Sequence, residues 1–455
     1  MSTAKHLQQN QQSDIKDIAT PLQDVVEQAL EAATRSGASS AEVDASLSQG
    51  SSLTVRLGEI ETIEHNRDKS LSLTVFFGNK SGSASTSDMS ADGIRNTVDA
   101  ACSIAKFTAE DDCGGLADAD KMATDFPNLD LWYPWHPDTD TARELALQCE
   151  EVARQTDDAI SNSEGATVNS HEGIGIYANT HGFNGIRYGS RHSLSCSVIA
   201  SDGKAMERDY WYSVARDRNE LQSAEAVGRI AGQRTLDRLG SRKIATCQTP
   251  VIYEAQAAGS LLSHLISAIS GGALYRKASF LLDHKGKRIF PEHTNISENP
   301  HIPKALGSAA FDNEGVATKS RSIIKDGVLM DYVLSSYSAR KLGLQTTGNA
   351  GGVHNLLIEH GNKDLPALLK QMDTGLLVTE LIGMGINNVT GDYSRGAAGF
   401  WVENGEIQYP VSEITVAGNL LDMFQNFVEV GNDLDKRGNV VTGSILLEQM
   451  TVAGE

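Results

Sequence analysis

Phe400-Trp401-Val402-Glu403-Asn404-Gly405-Glu406-Ile407 reads as two short alternating strands joined by Asn-Gly. That dipeptide favours the two positive-φ positions of a two-residue hairpin turn, whose twist matches that of the flanking strands. Ile323-Ile324-Lys325-Asp326-Gly327-Val328-Leu329 repeats the pattern around Asp326-Gly327. A third hairpin turns near Asp202-Gly203, between an apolar run at 196–200 and an aromatic one at 210–214. Helical patterns separate the hairpins without strict strand–helix–strand alternation, so the chain is expected to be α+β rather than doubly wound.

Outward from the hairpins, the sequence divides into two domains. Residues 1–14 are polar and Gln-rich, read as a flexible tail with no apolar segment of the kind a secretion signal needs. Ile18, Leu22, Val25, Val26, Ala29, Leu30 and Ala33 fall at helical spacing. Half-buried strands are expected at 52–57 and 70–75, helices at about 92–109 and 139–155, and short strands through 165–215. A helix over about 224–239 runs into Gly240-Ser241-Arg242-Lys243. The N-terminal helix-plus-sheet domain is therefore drawn over 15–240 and a β-hairpin-rich C-terminal domain over 245–455. The latter opens with a strand at 249–252 and a helix near 253–270, whose inner face is Ala258, Leu261, Leu262, Leu265 and Ile269.

Composition narrows the partners. Among 455 residues, 39 Lys and Arg oppose 59 Asp and Glu, a formal charge of −20. Nucleic-acid binding draws its affinity from cationic side chains on phosphates, so no nucleic-acid partner is expected. Five cysteines, none in a C-x-x-C pair, suit a reducing cytoplasm. The longest apolar stretch, 257–274, is broken by Ser260, Ser263, His264, Ser267 and Ser270, so no membrane partner is expected either.

Chemistry-bearing motifs are sparse. His171-Glu172 opens like a zincin helix, but the position of the second histidine is Gly175. His181, His192 and Cys196 offer an alternative metal set, since residues four apart on a strand share a face. Buried His and Cys are equally ordinary in a sheet core. His284, His293 and His301 sit in a polar stretch with Pro residues and read as surface loop. No G-x-S-x-G elbow occurs, and Gly383-Met384-Gly385-Ile386-Asn387-Asn388 lacks the last glycine of a dinucleotide fingerprint. Gly348-Asn349-Ala350-Gly351-Gly352 reads as a tight turn, although glycine would also let a peptide backbone approach. Residue types alone leave the function open.

Longer motifs carry a resemblance. Tyr275-Arg276-Lys277-Ala278-Ser279-Phe280-Leu281-Leu282-Asp283, Phe311-Asp312-Asn313-Glu314-Gly315-Val316 and Ser335-Ser336-Tyr337-Ser338-Ala339-Arg340-Lys341-Leu342-Gly343-Leu344 are similar to the PmbA/TldE family. So is Thr390-Gly391-Asp392-Tyr393-Ser394-Arg395-Gly396-Ala397-Ala398-Gly399, which leads into the first hairpin above. The similarity spans nearly the whole chain beyond its first dozen residues.

The resemblance implies one half of a cytoplasmic zinc metallopeptidase that degrades unfolded or extended peptides. That family is linked to peptide-antibiotic maturation, antitoxin turnover and, in older naming, modulation of DNA gyrase. Its TldD half holds zinc on an H-E-x-x-x-H helix and a C-terminal Cys. At the matching positions this chain has Tyr253, Glu254 and Ala258, with Thr442 where the Cys would stand. The expectation is therefore a non-catalytic subunit with no cofactor of its own, zinc lying on a TldD-like partner. Glu254 would serve its helix as a favourable first-turn carboxylate. Gly351, Gly352, Asp392, Tyr393, Ser394 and Arg395 would line a substrate channel, pairing peptide backbones by β-augmentation. Two alternatives remain: a self-sufficient metalloprotease using His181, His192 and Cys196, and a non-hydrolytic homodimeric adaptor.

Overall fold

The structure is a computed structural model that describes residues 2–454, with side chains from residue 13 onward. Helix α1 (Ser2–Arg35) takes in the stretch read as a flexible tail. Between Ser2 and Thr20 there is neither Gly nor Pro to stop a helix, which the polar composition had obscured. Gly37, at φ +87°, ends it in the left-handed region open to glycine.

Six antiparallel strands follow: β1 (Ser40–Arg56), β2 (Glu59–Phe77), β3 (Lys80–Thr86), β4 (Ile160–Asn179), β5 (Asn184–Ser201) and β6 (Met206–Ala215). Their spatial order is β3-β2-β1-β4-β5-β6. Several are far longer than the alternation at 52–57 and 70–75 suggests, because small residues (Ala41, Ala45, Ala166, Ala178) fill core positions where an apolar pattern is weak.

Two helix pairs cover one face of this sheet. α1 and α2 (Ala91–Phe107) bury Val43, Ala45, Leu71, Leu73, Val75, Ile174 and Ile176. α3 (Thr139–Arg154) and α4 (Ala224–Asp237) bury Leu53, Val55, Val168, Leu194, Cys196 and Val198. Ser90, Asp138 and Ser223 cap α2, α3 and α4 through their side chains, which fixes where each helix begins. α3 and α4 touch backbone to backbone: a β-carbon on Gly228 would overlap the Cys149 carbonyl oxygen. Gly228→Val is thus expected to force the helices apart and cost about 2 kcal/mol, read as a lowered midpoint in thermal denaturation.

The second half begins with β7 (Cys247–Tyr253), which feeds α5 (Ala255–Ala268). Five short strands, β8 (Ile296–Glu298), β9 (Arg321–Lys325), β10 (Val328–Leu329), β11 (Leu356–Ile358) and β16 (Val440–Val441), make one sheet. β12 (Gly375–Ile382), β13 (Asp392–Glu403), β14 (Glu406–Asn419), β15 (Phe427–Val430) and β17 (Ile445–Ala453) make another with β7, in the order β14-β13-β12-β7-β17-β15. β14 also pairs with β17 through Thr415–Ala417 and Thr451–Ala453, which closes a ring around the core. The Asp326-Gly327 and Asn404-Gly405 hairpins form with positive φ at all four residues. Parallel pairings of β7 with β12 and β11 with β16 stand beside the hairpins. The architecture is a multi-domain α+β fold. Among the described residues, no helix is long and apolar enough to cross a membrane.

A largely polar seam joins the halves. Tyr337 donates to Asp111 (2.7 Å), Arg340 spans the Leu116 carbonyl (2.6 Å) and Asp118 (2.8 Å), and Arg216 reaches the Leu306 carbonyl (2.9 Å). Phe183 against Phe311 adds an apolar contact, with ring centroids 5.2 Å apart. At the junction of α4, β6 and α5 this seam forms a cleft.

Candidate functional site

β7 runs straight into α5, so the positions matching a metal-binding helix lie at the strand–helix junction. Tyr253 stands on β7 between Val378 of β12 and Ile445 of β17 and is completely buried. Its hydroxyl lies 3.4 Å from that of Tyr393 and 3.3 Å from Met450 Sδ. Burial, then Tyr393, pushes its pKa well above the ordinary phenol value. Ala258 is fully buried one turn into α5. Thr442, also buried, donates its hydroxyl to the adjacent Gly443 carbonyl (2.9 Å). The residue just before β17 does reach the helix start: Ala255 N–H donates to Ser444 Oγ at 3.1 Å, and Ser444 donates to Asp433 at 2.6 Å.

Glu254 occupies the N-cap position but makes no side-chain capping bond. Its carboxylate instead takes both arms of Arg234 from α4, at 2.9 and 3.3 Å. Beyond its place at the start of α5, Glu254 is thus held by a forked guanidinium, which offers two charge-assisted bonds.

A metal site for zinc needs three or four N, S or O donors directed at one point. Here one position is a buried phenol bonded to another phenol, one a methyl group and one a hydroxyl turned to its own backbone, while the carboxylate is held by arginine. This donor set does not fit zinc. Among the described residues, no three His, Cys, Asp or Glu side chains are grouped to hold a metal.

Directly beside the junction lies a cavity of about 350 Å³, walled by β6, α4, α5, β12 and β13. Its charges are paired across the seam: Arg234 with Glu254, and Arg238 with Glu380 at 2.5 Å. Gln256 donates to Tyr210 at 2.6 Å, and Arg437 lies 4.0 Å over Trp211. Arg395 enters the wall from β13, its Nη2 3.4 Å from the Leu381 carbonyl and its buried Nε without a partner. The ring of His264 meets Tyr393 edge-on at 5.9 Å. Burial, then the charge of Arg395, lowers the His264 pKa, which keeps the imidazole neutral.

The structure thus gathers Tyr253, Glu254, Ala258, Tyr393 and Arg395 around one junction and separates the other candidates from it. β13 alternates, so Asp392 and Ser394 face outward where Tyr393 and Arg395 face inward. Asp392 accepts from Thr390 at 2.6 Å, and the Ser394 N–H donates to the Gly385 carbonyl at 2.7 Å. Gly351 and Gly352, at φ +101° and +115°, belong to a loop packed on Asn313 and contribute nothing to the cleft wall. His181 is exposed in the β4–β5 turn. His192 is buried near the middle of β5 with both ring nitrogens engaged, Nδ1 at 3.0 Å from Ser170 Oγ and Nε2 at 2.8 Å from the Tyr133 carbonyl. Cys196 is buried beside Cys149, whose thiol, with burial, pushes the Cys196 thiol far up. The three therefore do not share a site. Arg234, Arg238, Gln256 and Glu380 went unread in the sequence, since nothing local marks an arginine whose partner lies 20 or 142 residues away.

The Gly351 loop has a titration of its own. Ala350 N–H donates to Asp312 Oδ2, and Glu314 and Val316 N–H to Oδ1, all at 2.9 Å. Burial, aided by the charge of Glu314, overrides these donors and raises the Asp312 pKa from 3.8 to about 6. A raised folded-state value means the native chain binds this proton more tightly than the unfolded chain. The stabilisation is complete below the unfolded value near 3.8 and disappears as pH rises through about 6. Carboxyl-carbon NMR is expected to show Asp312 titrating near 6.

Comparison with known proteins agrees with the resemblance. The PmbA/TldA metallopeptidase domain 1, central domain and C-terminal domain match residues 41–105, 132–239 and 246–454. Metalloprotease PmbA of Escherichia coli O157:H7 is 50% identical over 435 residues, covering 95% of this chain and 96% of that one. A crystal structure from Bacteroides thetaiotaomicron, described as a candidate modulator of DNA gyrase, superposes with a TM-score of 0.89 at 30% identity, covering 95% of this chain and 99% of that one. The structure of TldE from Thermococcus kodakarensis shares the fold, with a TM-score of 0.81 at 20% identity, covering 94% of this chain and all of that one. Family motifs, near-complete coverage and domain matches from β1 to β17 together make this chain a member of the PmbA/TldE family of metallopeptidases.

Proposed function

We propose that this chain is the non-catalytic, TldE-like subunit of a cytoplasmic zinc metallopeptidase, completing the substrate chamber of a TldD-like partner that holds the zinc. The observation that supports this reading is the β7–α5 junction, where the metal-binding positions are filled by a buried Tyr253–Tyr393 pair and the Ala258 methyl. Glu254 is committed to Arg234. Unfolded or extended peptides are the substrates, and zinc on the partner polarises the scissile carbonyl and lowers the pKa of its water. This chain's cleft would orient the peptide through Arg395 and Gln256 on its wall.

The test is hydrolysis of an unfolded peptide by the chain alone, by a TldD-like protein alone and by the two together. The expected result is chelator-sensitive cleavage only when the partner is present, with a stable complex near twice the monomer mass on size exclusion. Chelator-sensitive cleavage by the purified chain alone overturns the proposal.

A further inference from the structure

The two helix pairs leave a gap on the covered face of the N-terminal sheet. Side chains along one strand face alternate, so β1 passes from Ala45 under α1 and α2 to Leu53 under α3 and α4 by way of Gln49. The register sets Gln49 opposite Arg67 of β2 on one side and Glu172 of β4 on the other. A polar strip therefore crosses the sheet between two apolar clusters.

Glu172 is the unusual member. It is 5% exposed, far more buried than a solvated carboxylate would be. Oε1 accepts from Gln49 Nε2 at 2.6 Å and faces His136 Nε2 at 3.4 Å. Oε2 is buried without any hydrogen-bond partner. An unsatisfied buried acceptor is costly, and more so when charged. Two adjoining cavities of about 320 and 120 Å³ share Gln49, Arg67 and Glu172 in their walls. The larger lies in the range of small-molecule sites, about 300–1,000 Å³. Arg67 is exposed and has no ion-pair partner among the described residues. His65 and His136 also line the larger cavity, yet with Glu172 they form no metal-holding group among the described residues.

We propose that this strip binds a small zwitterion, an amino acid or short peptide, with its ammonium on Glu172 and its carboxylate on Arg67. The ammonium supplies the donor that Oε2 lacks. Arg67 offers the planar fork that suits a carboxylate. The two residues stand two strands apart, about 10 Å at the backbone, a span on the scale of an extended dipeptide of about 7 Å, and both line the same two cavities. This site lies in the N-terminal sheet and rests on no part of the peptidase reading.

Calorimetric titration of the full chain with L-alanyl-L-alanine tests it, with N-acetyl-dialanine and dialanine amide as probes of each end. The expected result is saturable dialanine binding at about 1 mM or tighter, weakened at least about tenfold by acetylation and by Glu172→Gln. Arg67→Ala, on a strand stretch exposed to solvent, is expected to weaken dialanine to the affinity of the amide without disturbing the core. No binding of dialanine by the parent chain, or binding unchanged by acetylation or in both variants, overturns the proposal.

Discussion

Glu298→Ala is expected to lower the unfolding free energy of the C-terminal half by about 4 kcal/mol, the cost of stranding a buried charge. Glu298 is 1% exposed, and its partner Arg321 has a side chain only 9% exposed. One carboxylate oxygen takes Arg321 Nε at 2.8 Å, the other the Asn349 amide and the His354 N–H, each at 2.7 Å. Arg321 continues to the Tyr332 carbonyl (2.7 Å) and Asn349 Oδ1 (2.8 Å). Removing the carboxylate leaves the buried guanidinium to the longer ion pair with Asp331, at 3.7 Å, and releases the 349–354 turn. Glu298→Gln keeps the acceptor for His354 N–H but loses the charge, so it should cost roughly half as much. Chemical denaturation checks this, and a loss below about 1 kcal/mol would mean that water reaches the pair.

Arg234→Ala carries the second large effect, about 3 kcal/mol, and it falls on the connection between the two halves. Arg234 leaves α4, lies 5.4 Å over Trp211 and joins Glu254 at 2.9 Å and Asp209 at 3.5 Å. Its side chain is 17% exposed and Glu254 19%, so solvent screens the pair little. Burial alone would lower the Arg234 pKa, but Glu254 overrides it and holds the guanidinium charged. Without Arg234, Glu254 loses its arginine partner in the cleft, while Asp209 keeps Arg238 at 3.8 Å. Scanning calorimetry should then resolve two transitions in place of a single one. Combining Arg234→Ala with Glu254→Ala should recover part of the loss, because the stranded carboxylate is gone.

Local chemistry made much of this legible from sequence. Asp326-Gly327 and Asn404-Gly405 announce their turns because few other residues accept positive φ at both central positions. The helix starts near 139 and 224 were legible as well, and the structure caps them through the side chains of Asp138 and Ser223. Pairings with no local signature stayed hidden: β7 beside β12, 125 residues apart at Val251 and Leu376, and β14 closing on β17. The site divided the same way. Tyr253, Glu254 and Ala258 were identified through long family motifs, and Arg395 lay within one of them. The partners that decide what Glu254 does, Arg234 above all, came only with the tertiary structure. His192 shows the converse: its spacing from Cys196 allowed a metal pair, but Ser170 and Tyr133 had already engaged both its nitrogens.

The most direct measurement of the central claim is zinc bound to the purified chain, by elemental mass spectrometry, with and without a TldD-like partner. The account predicts far less than one zinc per chain alone, and about one per heterodimer once the partner is present. About one zinc per chain without the partner, retained through dialysis, would contradict it.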